Sequence, residues 1–287
     1  MLYTSTLSFP GFGIGPFKVN SVAFSIGNFS IAFYGLIITL GIVLATVYVI
    51  WRAKQSNIKA DTILDIALLT VPCGVVGARL YYVLTSLDHF HSFGEIFDIR
   101  SGGLAIYGGI IGGAVGVIIM TRVKKLPFFA LADMIMPAVF IGQILGRWGN
   151  FFNAEAYGSV TELPWRMGIL QPTGEWIYVH PTFLYESLWN ILGFVLINIF
   201  YGFSVSKSHK KYDGQIMLMC FGWYGLGRMF IEGLRTDSLY VGPFRISQVL
   251  GLAFFLAAAT LLLYHHFTKT DMQFRPIEPK KDKTEKD

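Results

Sequence analysis

Two runs of this chain, Ile31 to Trp51 and Ile246 to Phe267, contain no Asp, Glu, Lys or Arg. A helix of roughly 20 apolar residues crosses a hydrocarbon core about 30 Å thick, because it rises about 1.5 Å per residue and satisfies its own backbone hydrogen bonds. Each run has the length and composition of such a span. Apolar stretches near 29–51, 62–85, 103–121, 129–148, 182–203, 214–234 and 245–267 predict an all-α, polytopic membrane protein with about seven transmembrane helices. With 53% hydrophobic and only 14% charged residues, the chain is too apolar for an ordinary water-soluble domain.

The basic residues set the expected orientation. If the N-terminus lies outside, fifteen of the 23 Lys and Arg fall in the inside segments: Arg52, Lys54 and Lys59; Arg122, Lys124 and Lys125; Lys207, Lys210 and Lys211; and six after Phe267. The outside segments hold four, Lys18, Arg100, Arg166 and Arg235. This asymmetry follows the positive-inside rule and predicts N-terminus out, C-terminus cytoplasmic. It also accounts for the basic pI without nucleic acid as a partner. Residues 1–28, with Pro10 and Pro16 and no basic n-region, are read as an outer or interfacial arm, 29–267 as the seven-helix transmembrane domain, and 268–287 as a disordered cytoplasmic tail dense in mixed charge. Cys73 and Cys220 lie in apolar runs without metal-ligand spacing and are read as packing residues, so no metal and no cofactor is expected. Gly108, Gly112 and Gly116, four apart, predict a close helix approach.

A charge at membrane depth costs a few kcal/mol or more. Arg79, Asp133, Arg147, Glu186, Arg228 and Glu232 must therefore face partners or water. Tyr224, Arg228 and Glu232 are spaced four and four, which puts them on one helix face, with Arg235 one turn further on. An intrahelical Arg228–Glu232 pair that neutralises itself explains that spacing equally well. Arg147, Asn150 and Asn153 are three apart, followed by Glu155 and interleaved with Gly146, Gly149 and Gly158. Helix capping would account for one Asn but not for the whole set. Both clusters are expected near the outer face, and Arg is suited to forked recognition of phosphate, so an anionic lipid phosphate is a natural ligand. The sequence has no Walker loop, GxSxG, HExxH or CxxC, so any chemistry has to come from Arg, Tyr, Asn, Glu and His.

The run Gly146-Arg147-Trp148-Gly149-Asn150-Phe151-Phe152-Asn153-Ala154-Glu155-Ala156-Tyr157-Gly158 resembles the signature of the prolipoprotein diacylglyceryl transferase family, of the form GRxGNFxNxExxG. Other pieces agree in order: Phe33-Tyr34-Gly35, Gly77-Ala78-Arg79-Leu80, Ser101 to Gly109, Asp133, His180-Pro181-Thr182 with Tyr185-Glu186, Tyr224 to Arg235, and Ser247-Gln248. The resemblance implies a bacterial cell-membrane enzyme that moves the diacylglyceryl group of phosphatidylglycerol onto the lipobox cysteine of prolipoproteins, releasing glycerol phosphate. It further implies that Arg147 and Arg228 bind the head group and stabilise the departing phosphate. Tyr34, Asn150, Asn153, Glu155 and Glu232 would position it, with Arg79, Tyr224 and Arg235 as further substrate-binding candidates. The partners would be phosphatidylglycerol, prolipoproteins and membrane lipid.

One position departs from the pattern: many members carry His where this chain has Tyr107, and that His is the natural candidate for a general base. A phenol with pKa near 10 is a poor base at neutral pH unless a cation tunes it. Either Tyr107 is so tuned, or the proton goes elsewhere, to Glu155 or the released phosphate, and Tyr107 only orients substrate. Tyr107 as an interfacial aromatic, His180 serving a His-Pro turn, and Asp133 or Glu186 as buried partners of Arg79 are the structural alternatives. A transporter would need charge along a path to the inner face, and a scaffold gives no reason for these polar residues. The charge asymmetry makes a prediction. With Cys73 and Cys220 replaced, Ser208→Cys should react with an impermeant thiol reagent only from the cytoplasmic side, and Ser159→Cys only from outside. Labelling of both from one side contradicts the arrangement.

Overall fold

The computed structural model describes residues 4–27, 29–90, 92–99, 102–202 and 208–268. Arg100, Ser101, Lys207 and the tail from 269 onward, all used in reading the sequence, lie outside the described residues. The helices among the described residues are α1 (Phe33–Gln55), α2 (Ala60–Thr85), short α3 (Phe93–Phe97), α4 (Ile106–Lys124), α5 (Phe128–Phe152), α6 (Thr182–Tyr201), α7 (Gln215–Ile231) and α8 (Ile246–Thr268). Six of them, α1, α2, α4, α5, α6 and α8, are long and apolar enough to cross a membrane. The protein is a mostly helical, polytopic membrane protein. α7, at the place of the expected 214–234 span, has 17 residues and runs directly into a 3-10 turn at Glu232–Leu234.

Most strands appear where the sequence reading assigned no regular structure, and Phe29–Ala32, the start of the expected 29–51 span, is a strand rather than helix. In the arm, β1 (Thr4–Phe9) pairs antiparallel with β2 (Ile14–Asn20), and β3 (Val22–Ile26) with β4 (Phe29–Ala32). Between α5 and α6, β5 (Met167–Leu170) pairs with β6 (Trp176–Val179). β1 also pairs with β5, which joins the two segments into one sheet of order β2-β1-β5-β6. A small hairpin, β7 (Tyr240–Val241) and β8 (Phe244–Arg245), leads into α8.

The described residues fall into two compact units, one drawn from residues up to Tyr48 and from Asp133 onward, the other from Val49–Ala132. In the first, Leu7, Val19, Met167, Ile169 and Val179 of the sheet form a buried cluster with Phe183 of α6. Phe151 and Phe152, at the end of α5, pack against this cluster, so the sheet bears directly on the signature segment. α7 lies against α6 and α8 through glycines. Gly193 and Gly227 make room for the indoles of Trp223 and Trp189, which stack at 4.5 Å. Each indole N–H donates to the other residue's carbonyl, at 3.0 and 2.9 Å. Asp133 fixes the far end of α7. Its carboxylate accepts the backbone N–H groups of Gly214 and Met217, each at 2.8 Å, and pairs with buried Lys210 at 2.8 Å. Asp133 is thus a helix anchor, and its partner is Lys210.

In the second unit α2 packs on α4 along the expected glycine stripe. A Cβ on Gly112 would run into the Cys73 carbonyl, and one on Gly116 would come 2.9 Å from the Thr70 Cα. A Cβ on Gly113 would meet only the Thr70 methyl at 3.8 Å. Gly112→Ala should therefore lower stability in detergent by about 1–3 kcal/mol, the usual cost of overpacking. Gly113→Ala should be neutral or stabilising by up to about 1 kcal/mol through helix propensity. Thermal unfolding of the two variants checks the contrast, and equal midpoints would disprove the close-packing account.

Candidate active site

The first unit brings together nearly all the polar residues that the sequence singles out. Arg147 ends its penultimate turn of α5 facing α6, where its Nη2 pairs with Glu186 Oε2 at 2.7 Å. Its Nη1 donates to Asn150 Oδ1 at 3.2 Å. The Asn150 amide then donates through Nδ2 to Glu155 Oε1 at 2.9 Å, and Asn153 Nδ2 donates to the same oxygen at 3.1 Å. The second oxygen, Oε2, has no hydrogen-bond partner among the described residues. This network fixes both amide orientations, since an amide oxygen must face the guanidinium and an amide nitrogen the carboxylate.

Glu155 is presented by an unusual turn. Ala154 and Ala156 on either side have φ of 49° and 57°, in the left-handed region that disfavours a side chain. Such strain persists where the surroundings over-determine it, and it concentrates at functional sites. The surroundings here are specific. Thr182 Oγ1 donates to the Ala156 carbonyl at 2.6 Å. Gly158 N–H donates to the His180 carbonyl at 2.9 Å, and Ser159 N–H to the Leu234 carbonyl at 2.8 Å. A Cβ on Gly158 would sit 2.7 Å from the His180 Cβ, which explains why glycine closes the signature.

α7 supplies Arg228, whose Nη1 donates to Glu186 Oε1 at 2.9 Å and whose Nη2 pairs with Glu232 Oε2 at 2.5 Å. The expected Arg228–Glu232 pair exists, but Arg228 also reaches across to α6. Arg235 follows the 3-10 turn and bridges backbone to Gly158. Its Nη1 lies 3.5 Å from Glu186 Oε1. Tyr224, one turn before Arg228, lies within electrostatic reach of Arg147. Tyr34, at the start of α1, lies within such reach of Glu155 and Arg147. Its ring packs where a Cβ on Gly149 would come within 2.5 Å, while Phe33 stacks on Phe152 at 4.3 Å.

Two candidates belong to the second unit. Arg79 is buried and donates to four backbone carbonyls, those of Glu95 at 2.6 Å, Ile96 at 2.8 Å, Gly102 at 2.7 Å and Gly103 at 3.0 Å. It clamps the loop that leads into α4. Tyr107 stands in the first turn of α4, its ring 6.3 Å from that of Tyr81.

The sequence reading gave no role to Asp237 and only a turn role to His180. Asp237 forks onto Arg235, accepting from Nε at 2.9 Å and Nη2 at 2.6 Å. Burial pushes its carboxyl up, but the Arg235 hydrogen bonds and charge outweigh this and hold it below the usual carboxylate range. His180 Nδ1 lies 3.2 Å from the Tyr185 hydroxyl, which accepts from Trp165 Nε1 at 2.7 Å. Partial burial holds the His180 imidazole below its ordinary pKa. No spacing in the sequence ties Trp165 to Tyr185, and Asp237 follows Arg235 too closely to fit a helix-face pattern.

The family described as prolipoprotein diacylglyceryl transferase matches the chain over residues 21–264. This chain belongs to that family. A phosphatidylglycerol–prolipoprotein diacylglyceryl transferase of Finegoldia magna is 47% identical over 244 residues, covering 85% of this chain and 94% of the relative. Proteins of the same name from Clostridioides difficile and Listeria welshimeri are 41% and 40% identical, covering 82% and 88% of this chain and 90% and 92% of the relatives. In this chain the signature and the Tyr224–Arg235 segment, 81 residues apart at Arg147 and Arg228, converge on one carboxylate of α6.

Proposed function

We propose that this chain transfers the diacylglyceryl group of phosphatidylglycerol to the lipobox cysteine thiol of prolipoproteins, the first step of bacterial lipoprotein maturation. It does so in the cell membrane, with the site towards the outer leaflet. One observation carries this reading: Arg147, Arg228 and Arg235, from three different elements, gather around Glu186 beside the Asn150–Asn153–Glu155 network.

The reaction breaks the bond between the diacylglyceryl carbon and its phosphate oxygen and forms a carbon–sulfur bond. The thiol proton leaves and glycerol phosphate departs with the bonding pair, gaining a negative charge. Such a step needs oriented cations at the departing oxygen and exclusion of water, and little covalent work from the protein. Arg147 and Arg228 supply the guanidinium donors. Each terminal nitrogen bonded to a carboxylate oxygen keeps a second N–H for phosphate. Asn150 and Asn153 hold Glu155 with one oxygen occupied and Oε2 open. That makes Glu155 the better candidate to receive the thiol proton, with Tyr107 orienting substrate. Tyr34, Tyr224 and Glu232 line the same cluster. Arg79 acts at one remove, by holding the loop before Tyr107.

The deciding experiment incubates purified protein with phosphatidylglycerol and a lipobox peptide and weighs the peptide. A diacylglyceryl increment on Cys establishes the activity; an unmodified peptide refutes it. Arg147→Lys should lose activity nearly as fully as Arg147→Ala, because losing charge-assisted hydrogen bonds costs about 1.5–3 kcal/mol, roughly ten- to a hundredfold in rate. Near wild-type turnover by the Lys variant would show that point charge alone suffices.

The proton route is tested separately. Glu155→Gln should lose about a hundredfold or more, the usual worth of a general base. Tyr107→Phe should cost only about one hydrogen bond, roughly 0.5–1.5 kcal/mol, with an unchanged pH profile between about 6 and 9. The reverse ranking would make Tyr107 the base.

A further inference from the structure

Glu186 stands at the centre of the cluster, yet it touches no part of the signature's polar network except Arg147. It is 5% exposed and belongs to the first half of α6, where its two oxygens divide the arginines between them. Oε2 faces Arg147 at 2.7 Å, while Oε1 faces Arg228 at 2.9 Å and Arg235 at 3.5 Å. No other carboxylate among the described residues pairs with all three: Glu232 reaches Arg228 and Arg235, and Asp237 only Arg235. α5, α7 and the segment after the 3-10 turn each bring one guanidinium, and among the described residues only Glu186 ties Arg147 to the other two. Three like charges so close together would move apart, since the Coulomb energy of a pair falls with distance.

We infer that Glu186 is a positioning residue for the transfer: it spaces Arg147, Arg228 and Arg235 so that their remaining N–H groups meet one phosphate, without itself touching lipid or thiol. This rests on the phosphatidylglycerol reading above and adds a sign to it. A carboxylate in an anion site opposes ground-state binding of the anion while holding the geometry that turnover needs. Its removal should therefore separate the two. A residue that only supports the fold would lose binding and turnover together.

The test compares wild type, Glu186→Gln and Glu186→Asp in detergent by transfer kinetics and by calorimetric titration with glycerol phosphate, which needs no turnover. Misplacing catalytic groups by about 1 Å costs on the order of a hundredfold. Glu186→Gln should thus lower kcat by about ten- to a hundredfold, leave the KM for phosphatidylglycerol unchanged or lower, and bind glycerol phosphate more tightly than wild type. Glu186→Asp keeps the charge but shortens the reach by one methylene. It should lower kcat while binding glycerol phosphate as wild type does. A Gln variant with wild-type kcat, or one losing kcat together with glycerol phosphate affinity, would overturn the inference. Failure of both variants to unfold cooperatively would overturn it too, by making Glu186 part of the scaffold. If wild type transfers nothing, the proposed function fails, and the glycerol phosphate titrations of the three proteins alone decide the role of Glu186.

Discussion

A guanidinium in a membrane-spanning helix has to find its counter-charge inside the protein, and that requirement organises the first unit. Arg147 and Arg228 sit within the largely apolar helices α5 and α7, with their side chains mostly buried. Taking away one partner of a buried ion pair costs about 3–5 kcal/mol, because the charge left behind is uncompensated. Glu186 and Glu232 meet that need, and Asn150 carries the network on to Glu155. Elsewhere the same rule is met by different means. Arg79 is satisfied by four carbonyl dipoles, and Lys210 is satisfied by Asp133 and Asp213. Around Glu186, by contrast, three guanidiniums from separate elements gather at one carboxylate.

Holding such a cluster in register falls to parts of the chain with little chemistry of their own. The sheet formed by β1, β2, β5 and β6 rests on Phe151 and Phe152, the residues between Asn150 and Asn153. Gly149 admits the Tyr34 ring, and Gly158 admits the His180 Cβ. Between them Ala154 and Ala156 are forced into the left-handed region, which turns Glu155 back towards the two amides. The strain of that turn is sustained by hydrogen bonds from Thr182, Gly158 and Ser159. The candidate-site loop is therefore held by the packing and hydrogen bonds around it.

The helices were legible because hydrocarbon imposes one pattern, an uninterrupted apolar run, and the expected 103–121 and 182–203 spans fall within a few residues of α4 and α6. The glycine stripe of α4 was legible for a related reason, since only a missing Cβ lets backbones approach to contact. The strands of the arm were not. Their apolar residues are short runs broken by Pro10, Pro16 and several glycines, and β1 finds its partner β5 more than 150 residues away. The membership of the polar cluster was readable residue by residue, from charge placed where charge is costly. Its wiring was not. Helix spacing joins Arg228 to Glu232, but no spacing could place Glu186 between Arg147 and Arg228, or give Asn150 an arginine on one side and a carboxylate on the other.

That wiring resolves a difficulty in the simplest account of the site. Three bare guanidiniums would bind a phosphodiester strongly, and the doubly charged phosphate monoester left after transfer more strongly still, so product would be held. Glu186, Glu232 and Asp237 balance the three arginines charge for charge. In the proposed reaction the lipid phosphate is then recognised by the direction of the remaining N–H groups rather than by net charge, and directional donors aimed at the departing oxygen favour the transition state over either bound anion. The carboxylates thus weaken ground-state binding in return for geometry. Glu155 lies outside that balance, with one oxygen tied by two amides and the other open, and the proposed reaction delivers the thiol proton there without disturbing the arginines.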